Sequence, residues 1–162
     1  MYMKNPEENV ESRGHRLADR PTTVADVMTR HVITLNPHHS FSDSVSLMAK
    51  HPFRHFLVVD AAGRLVGVVS DRNVLRVLAR TTNWNATSVS QFMTRDVITA
   101  EPETEISVAV GKMLSKRINC LPVVDEENNV CGVITSTDFL KTLRLVQEAS
   151  VKEIQKAPAI PF

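Results

Sequence analysis

Apolar residues recur along this chain in two rhythms. Short runs rich in β-branched residues, Val32 to Leu35, His55 to Asp60 and Leu65 to Ser70, read as strands. Between the first two, Phe41, Val45 and Met48 return at helical spacing, and Leu75 and Leu78 do so after the third. The same order then follows again. Val97 to Ala100, Leu121 to Asp125 and Val130 to Thr135 read as strands, with one helix carrying Ile106, Val110, Met113 and Leu114. The closing helix carries Phe139, Leu140, Leu143 and Val146. A short capped turn opens each series, Thr23 with Asp26 and Ser88 with Gln91. The pattern predicts β-α-β-β-α twice, an α/β (α+β) fold. Its strands are nearly continuous in apolar residues, as when a sheet is covered on both faces. One such unit is too small to bury much core, so two units are expected to pack sheet to sheet.

The two series are one sequence repeated. The chain aligns with itself without gaps at an offset of 65 residues, Gly67-Val68 falling on Gly132-Val133. Met28-Thr29-Arg30 falls on Met93-Thr94-Arg95, and Val58-Val59-Asp60 on Val123-Val124-Asp125. A period this long implies two whole subdomains rather than a solenoid. The expected boundaries are a polar, mobile arm over 1–21, a first unit over 22–82, a linker over 83–86, a second unit over 87–147 and a helix end and tail over 148–162.

Composition narrows the class. A formal net charge of +1 argues against a dedicated nucleic-acid surface. No apolar run reaches membrane-spanning length and the N-terminus lacks a signal peptide's apolar core, so a cytoplasmic protein is expected. Cys120 and Cys131 form no metal-ligand pattern and, in the predicted hairpin, do not face each other, which suits a reducing compartment. His31, His38, His39, His51 and His55 match no metal-ligand spacing either. Trp84 reads as a packing anchor, and Met28, Met48, Met93 and Met113 as matched core positions.

The candidate chemistry sits where the last strand of each unit runs into its closing helix. In Gly132-Val133-Ile134-Thr135-Ser136-Thr137-Asp138 the Gly permits something to approach the strand closely. Thr135 stands at the helix N-cap, with Asp138 three residues on. A hydroxyl, a carboxylate and a bare helix N-terminus suit a ribose joined to phosphate. The same spacing also describes a plain capping box. Gly67-Val68-Val69-Ser70-Asp71-Arg72-Asn73 repeats the design with Asn in place of the acid.

Tandem units carrying Met-Thr-Arg-x-Val-Ile-Thr, Leu-Pro-Val-Val-Asp and Gly-Val-Ile-Thr-Ser-Thr-Asp resemble a pair of CBS domains, a Bateman module, over residues 22–146. Leu57 departs from the Pro usual in that motif, which the second unit keeps as Pro122. The resemblance implies pseudo-twofold packing and two clefts that take adenosine-containing ligands: AMP, ADP, ATP, NAD or S-adenosylmethionine. It implies a first site of Val133, Thr135, Thr137 and Asp138 with Phe53, Arg54 and His39. The second would combine Val68, Ser70, Arg72 and Asn73 with Ile118, Asn119 and Thr104. Asp138 would hold the ribose hydroxyls, Thr135 and Arg54 the phosphate, Val133 and Phe53 the adenine. No catalytic set, metal cluster or P-loop is present, so the chain reads as a non-enzymatic, homodimeric regulatory module acting on an unidentified protein. The alternative is a structural dimerisation module with vestigial clefts.

Overall fold

The computed structural model describes residues 20–80, 82–84 and 86–156. Most of the arm read over 1–21 and the last residues of the tail lie outside the described residues. The first repeat runs α1 (Val24–Val27), β1 (Thr34–Leu35), α2 (Phe41–Lys50), β2 (His55–Val59), β3 (Leu65–Ser70) and α3 (Asp71–Leu78). The second runs α4 (Val89–Phe92), α5 (Ile106–Lys116), β4 (Cys120–Val124), β5 (Val130–Thr135) and α6 (Ser136–Lys156). The closing helices begin directly after Thr135, the expected N-cap, and after its repeat partner Ser70.

In the first sheet β1 lies parallel to β2, Thr34 opposite Leu57, and β2 is antiparallel to β3. Among the described residues the second sheet holds β4 and β5 alone. The strand expected over Val97 to Ala100 reduces to a parallel bridge between Ala100 and Val123. Its cause is Pro122, which stands where the first repeat has Leu57. Proline has no N–H to give this edge. What remains is Ala100 N–H to Pro122 O and Val124 N–H to Ala100 O, both 3.0 Å.

The two hairpins turn alike. Gly63 and Asn128 occupy the same repeat position, and both take left-handed backbone, φ 83° and 66°. The turns also touch: Leu65 N–H donates to Asn128 O at 3.0 Å, and Asn128 Nδ2 donates to Leu65 O at 2.9 Å. Leu57, Leu65 and Val124 form an apolar layer between the sheets, flanked by Val32, Val68, Val97, Val130 and Val133.

Each repeat completes the other's core. Val24 and Met28 are buried with Ala109, Met113, Leu121, Val123 and Ile134 of the second repeat. Val89 and Met93 are buried with Leu35, Phe41, Phe56, Val58 and Val69 of the first. The opening helices are therefore exchanged, whereas the pattern assigned each to its own unit. Backbone bonds fix the exchange: Val24 N–H to Thr104 O and Val89 N–H to His39 O, each 2.8 Å. Beyond α1 and α4, Thr29 pairs with Val133 and Thr94 with Val68, through N–H···O bonds of 2.9–3.0 Å.

Candidate functional site

The strand-to-helix turns that carry the two motifs are built by their own side chains. At the head of α6, the Thr135 N–H and hydroxyl donate to Asp138 Oδ2 at 2.8 and 2.7 Å. At the head of α3, the Ser70 N–H and hydroxyl donate to Asn73 Oδ1 at 2.9 and 2.6 Å. Both are capping arrangements, so the local sequence explains both turns before any ligand is invoked. They differ in what is left over. Among the described residues Asp138 Oδ1 has no hydrogen-bond partner, while the Asn73 amide nitrogen donates to Phe92 O at 2.9 Å.

The two expected clefts open into one cavity of about 1080 Å³ between the repeats. That is ample for a nucleotide, since ligand pockets run to roughly 300–1,000 Å³. Its wall is twofold: apart from Pro122, every lining residue has its partner 65 positions away also in the lining. Of the expected first site, Val133, Thr135, Thr137, Asp138, Phe53 and Arg54 all line it. Of the second, Val68, Ser70, Arg72, Asn73, Ile118 and Asn119 do.

His39 and Thr104 do not. They occupy equivalent positions and shape the turns before α2 and α5. His39 Nδ1 accepts from Asn36 N–H at 3.1 Å, and its own N–H donates to Asn36 Oδ1 at 3.0 Å. Thr104 Oγ1 accepts from Glu101 N–H at 2.9 Å and lies on a separate hollow of about 300 Å³. Their carbonyls hold the exchanged helices, so both residues belong to the packing between repeats.

The wall adds residues the motifs did not point to: His31 and Asp96, His55 and Cys120, Arg76 and Lys141, Pro52 and Arg117. Each is a repeat pair, so applying the 65-residue offset to neighbours of the motifs would have found them. Five cations line the cavity, Arg54, Arg72, Arg76, Arg117 and Lys141, against the carboxylates Asp71, Asp96 and Asp138. The ion pairs among the described residues are Arg64–Asp60 and Arg144–Glu148, so none of the five cations is neutralised by a salt bridge there. Burial pushes the Cys120 thiol up to about 12, with the Asp138 charge adding to it, so at neutral pH it is not a thiolate. Burial likewise holds the His55 imidazole below its ordinary value, opposed by Asp71 and aided by Arg54. A partly open carboxylate, an exposed aromatic ring at Phe53 and cations without an ion pair among the described residues are groups that can hold a hydroxylated or anionic ligand.

The chain matches the CBS domain family twice, over residues 24–80 and 89–145. It is 31% identical over 137 residues to an L-aspartate semialdehyde sulfurtransferase of Methanocaldococcus jannaschii, covering 82% of this chain and 26% of that protein. An inosine-5′-monophosphate dehydrogenase of the same organism is 31% identical over 128 residues, 79% of this chain and 25% of that one. The chain thus spans about a quarter of the length of each of these two relatives. Among solved structures, the CBS domain pair of protein MJ0100, in complex with 5′-methylthioadenosine and S-adenosyl-L-methionine, superposes with a TM-score of 0.69 at 30% identity. That match covers 76% of this chain and 96% of that one. A protein of Vibrio cholerae named for acetoin utilization, AcuB, gives a TM-score of 0.73 at 31% identity, covering 84% of this chain and 98% of that one.

Proposed function

The chain belongs to the CBS domain family, and from that premise we propose that it is a regulatory module that binds an adenosine-containing ligand between its two repeats. The observation that carries this reading is Asp138. Its Oδ2 is held by Thr135 while Oδ1 has no hydrogen-bond partner among the described residues, on the wall of a nucleotide-sized cavity. A carboxylate fixed through one oxygen offers the other to a ribose hydroxyl without reorganising. Such charge-assisted hydrogen bonds contribute about 1.5–3 kcal/mol.

Phe53 and Val133 supply apolar surface for the adenine, and Arg54 and Lys141 supply charge for a phosphate or carboxylate. The adenosyl ligands of the MJ0100 pair support the class. AMP, ADP, ATP, NAD and S-adenosylmethionine all present the adenosine that these groups suit. Because the wall comes from both repeats, a bound ligand bridges them and biases their relative orientation by its difference in affinity between arrangements. That bias would pass to a second copy of the chain or to a protein it regulates.

Calorimetric titration of the full chain with adenosine, 5′-methylthioadenosine, AMP, ATP and NAD tests the proposal. Asp138→Ala is expected to weaken adenosine binding by roughly ten- to a hundred-fold while leaving the fold intact. Absence of heat with every one of these ligands would leave the structural dimerisation reading in its place.

A further inference from the structure

Asn73 and Asp138 hold the same place in the two repeats, yet they are engaged in opposite ways. Asn73 is buried, with 7% of its surface exposed. Its Oδ1 takes both donors of Ser70, and its Nδ2 donates to Phe92 O at 2.9 Å and to Thr94 Oγ1 at 3.4 Å. Phe92 and Thr94 lie on the segment of the second repeat that crosses onto the first repeat's core. Thr94 pairs there with Val68 at 2.9 and 3.0 Å.

The amide cannot be turned over, because oxygen would then face the Phe92 carbonyl and nitrogen would face the Ser70 N–H. Every polar atom of Asn73 is therefore in use, and the bond to Phe92 spans the two repeats. Asp138 cannot make the matching bond. The counterpart of Phe92 is Val27, and a carboxylate has no hydrogen to offer its carbonyl.

We infer that Asn73 is a latch between the repeats rather than a second ribose ligand, so that each chain seats one nucleoside, on the Asp138 side of the cavity. The residue at this single position of each closing helix sets the outcome. An acid leaves an oxygen open to ribose, while an amide fastens the crossing segment and has no polar atom left for a ribose on its side of the cavity. A ribose drawing on Asn73 would leave the Phe92 carbonyl without its buried donor, a cost the Asp138 side never meets. The single-seat half of this inference rests on the nucleoside reading given above; the latch does not.

Two measurements on the full chain test the halves separately. Titration with 5′-methylthioadenosine should give one nucleoside per chain in the wild type. A second binding event should appear in Asn73→Asp, and the single event should weaken by roughly ten- to a hundred-fold in Asp138→Asn. Amide hydrogen exchange without ligand should rise about tenfold at Val68 and Thr94 in Asn73→Asp and in Asn73→Ala. In Asp138→Asn it should fall at Thr29 and Val133, as the new amide reaches Val27 O. Two equivalent nucleosides per wild-type chain would overturn the single seat. Unchanged exchange at Val68 and Thr94 in both Asn73 variants would overturn the latch. A wild type that binds no 5′-methylthioadenosine would remove the seat together with the proposed function, while the exchange result would still decide the latch.

Discussion

At Gly132 an added methyl group would stand 2.7 Å from the carbonyl oxygen of Thr29 and 3.0 Å from the Met28 sulfur. At Gly67 it would meet the Met93 sulfur at 2.7 Å and the Thr94 carbonyl at 2.9 Å. These are the two glycines whose recurrence suggested a close approach to the strand. What approaches is the Met-Thr of the other repeat, more than a hundred positions from Gly132 and out of reach of any local pattern. The Asn73 latch was hidden for the same reason, since its partner Phe92 sits on a different repeat. Gly132→Ala should destabilise the chain by about 1–3 kcal/mol in urea unfolding, because backbone rather than a flexible side-chain end must move. A second residue-scale expectation concerns pH. Burial lowers the His55 pKa below 6.5, so the folded chain binds that proton less readily than the unfolded chain does. The stability tied to neutral His55 is therefore intact above pH 6.5 and lost as pH falls through the folded pKa. His55→Gln should lose less thermal stability than the wild type on going from about pH 7.5 to about pH 5.5.

At the scale of elements, helices and hairpins were legible because each carries its own signal. Ser40 caps α2 by accepting from Asp43 N–H, Asp60 and Asp125 close the hairpin turns, and the apolar spacing marks every long helix. The edge strand of the second sheet was not legible, because its fate depends on Pro122 in a neighbouring strand rather than on Val97 to Ala100 themselves. Nor was the exchange of α1 and α4. Four-residue helices have no amphipathic period to show which core they face, and Val24 and Val89 would fit either one. The exchange has a direct consequence. A fragment covering residues 20–80 lacks Val89 and Met93, two members of its own core, and leaves Val24 and Met28 without theirs. It should show no cooperative thermal transition by circular dichroism, whereas a chain cut by protease near the exposed Trp84 should keep its two pieces together through gel filtration. A sharp transition from the isolated fragment would contradict the shared core.

At the scale of the whole molecule, the twofold relation between repeats places like against like on the surface as well as in the cavity. Leu75 and Leu140, 65% and 66% exposed, are repeat partners on α3 and α6, as are Leu78 and Leu143, 45% and 54% exposed. Two matched apolar helix faces suit a second copy of the chain, since self-complementary contacts are the commonest route to oligomers. Light scattering at micromolar concentration is expected to give a dimer, and Leu140→Glu with Leu75→Glu a monomer of 18.1 kDa. The cavity answers a different question, how the charge on a ligand is read. Five cations against three carboxylates leave a net positive wall that no ion pair among the described residues neutralises. On the proposed reading adenosine would use Asp138 and Phe53 but none of that charge, whereas AMP and ATP would add phosphates that draw on it. At equal ligand concentration the thermal stabilisation should rise from adenosine to AMP to ATP, because tighter binding to the folded chain raises its stability directly. The spread should narrow with added salt, since the screening length falls from about 10 Å at 0.1 M to about 3 Å at 1 M. Arg54→Ala should shrink the difference between adenosine and AMP while leaving adenosine affinity within about twofold, an exposed charge contributing little to a neutral ligand. Equal shifts from all three ligands at low salt would mean that the cavity recognises the nucleoside alone, and the unpaired arginines would then need another role.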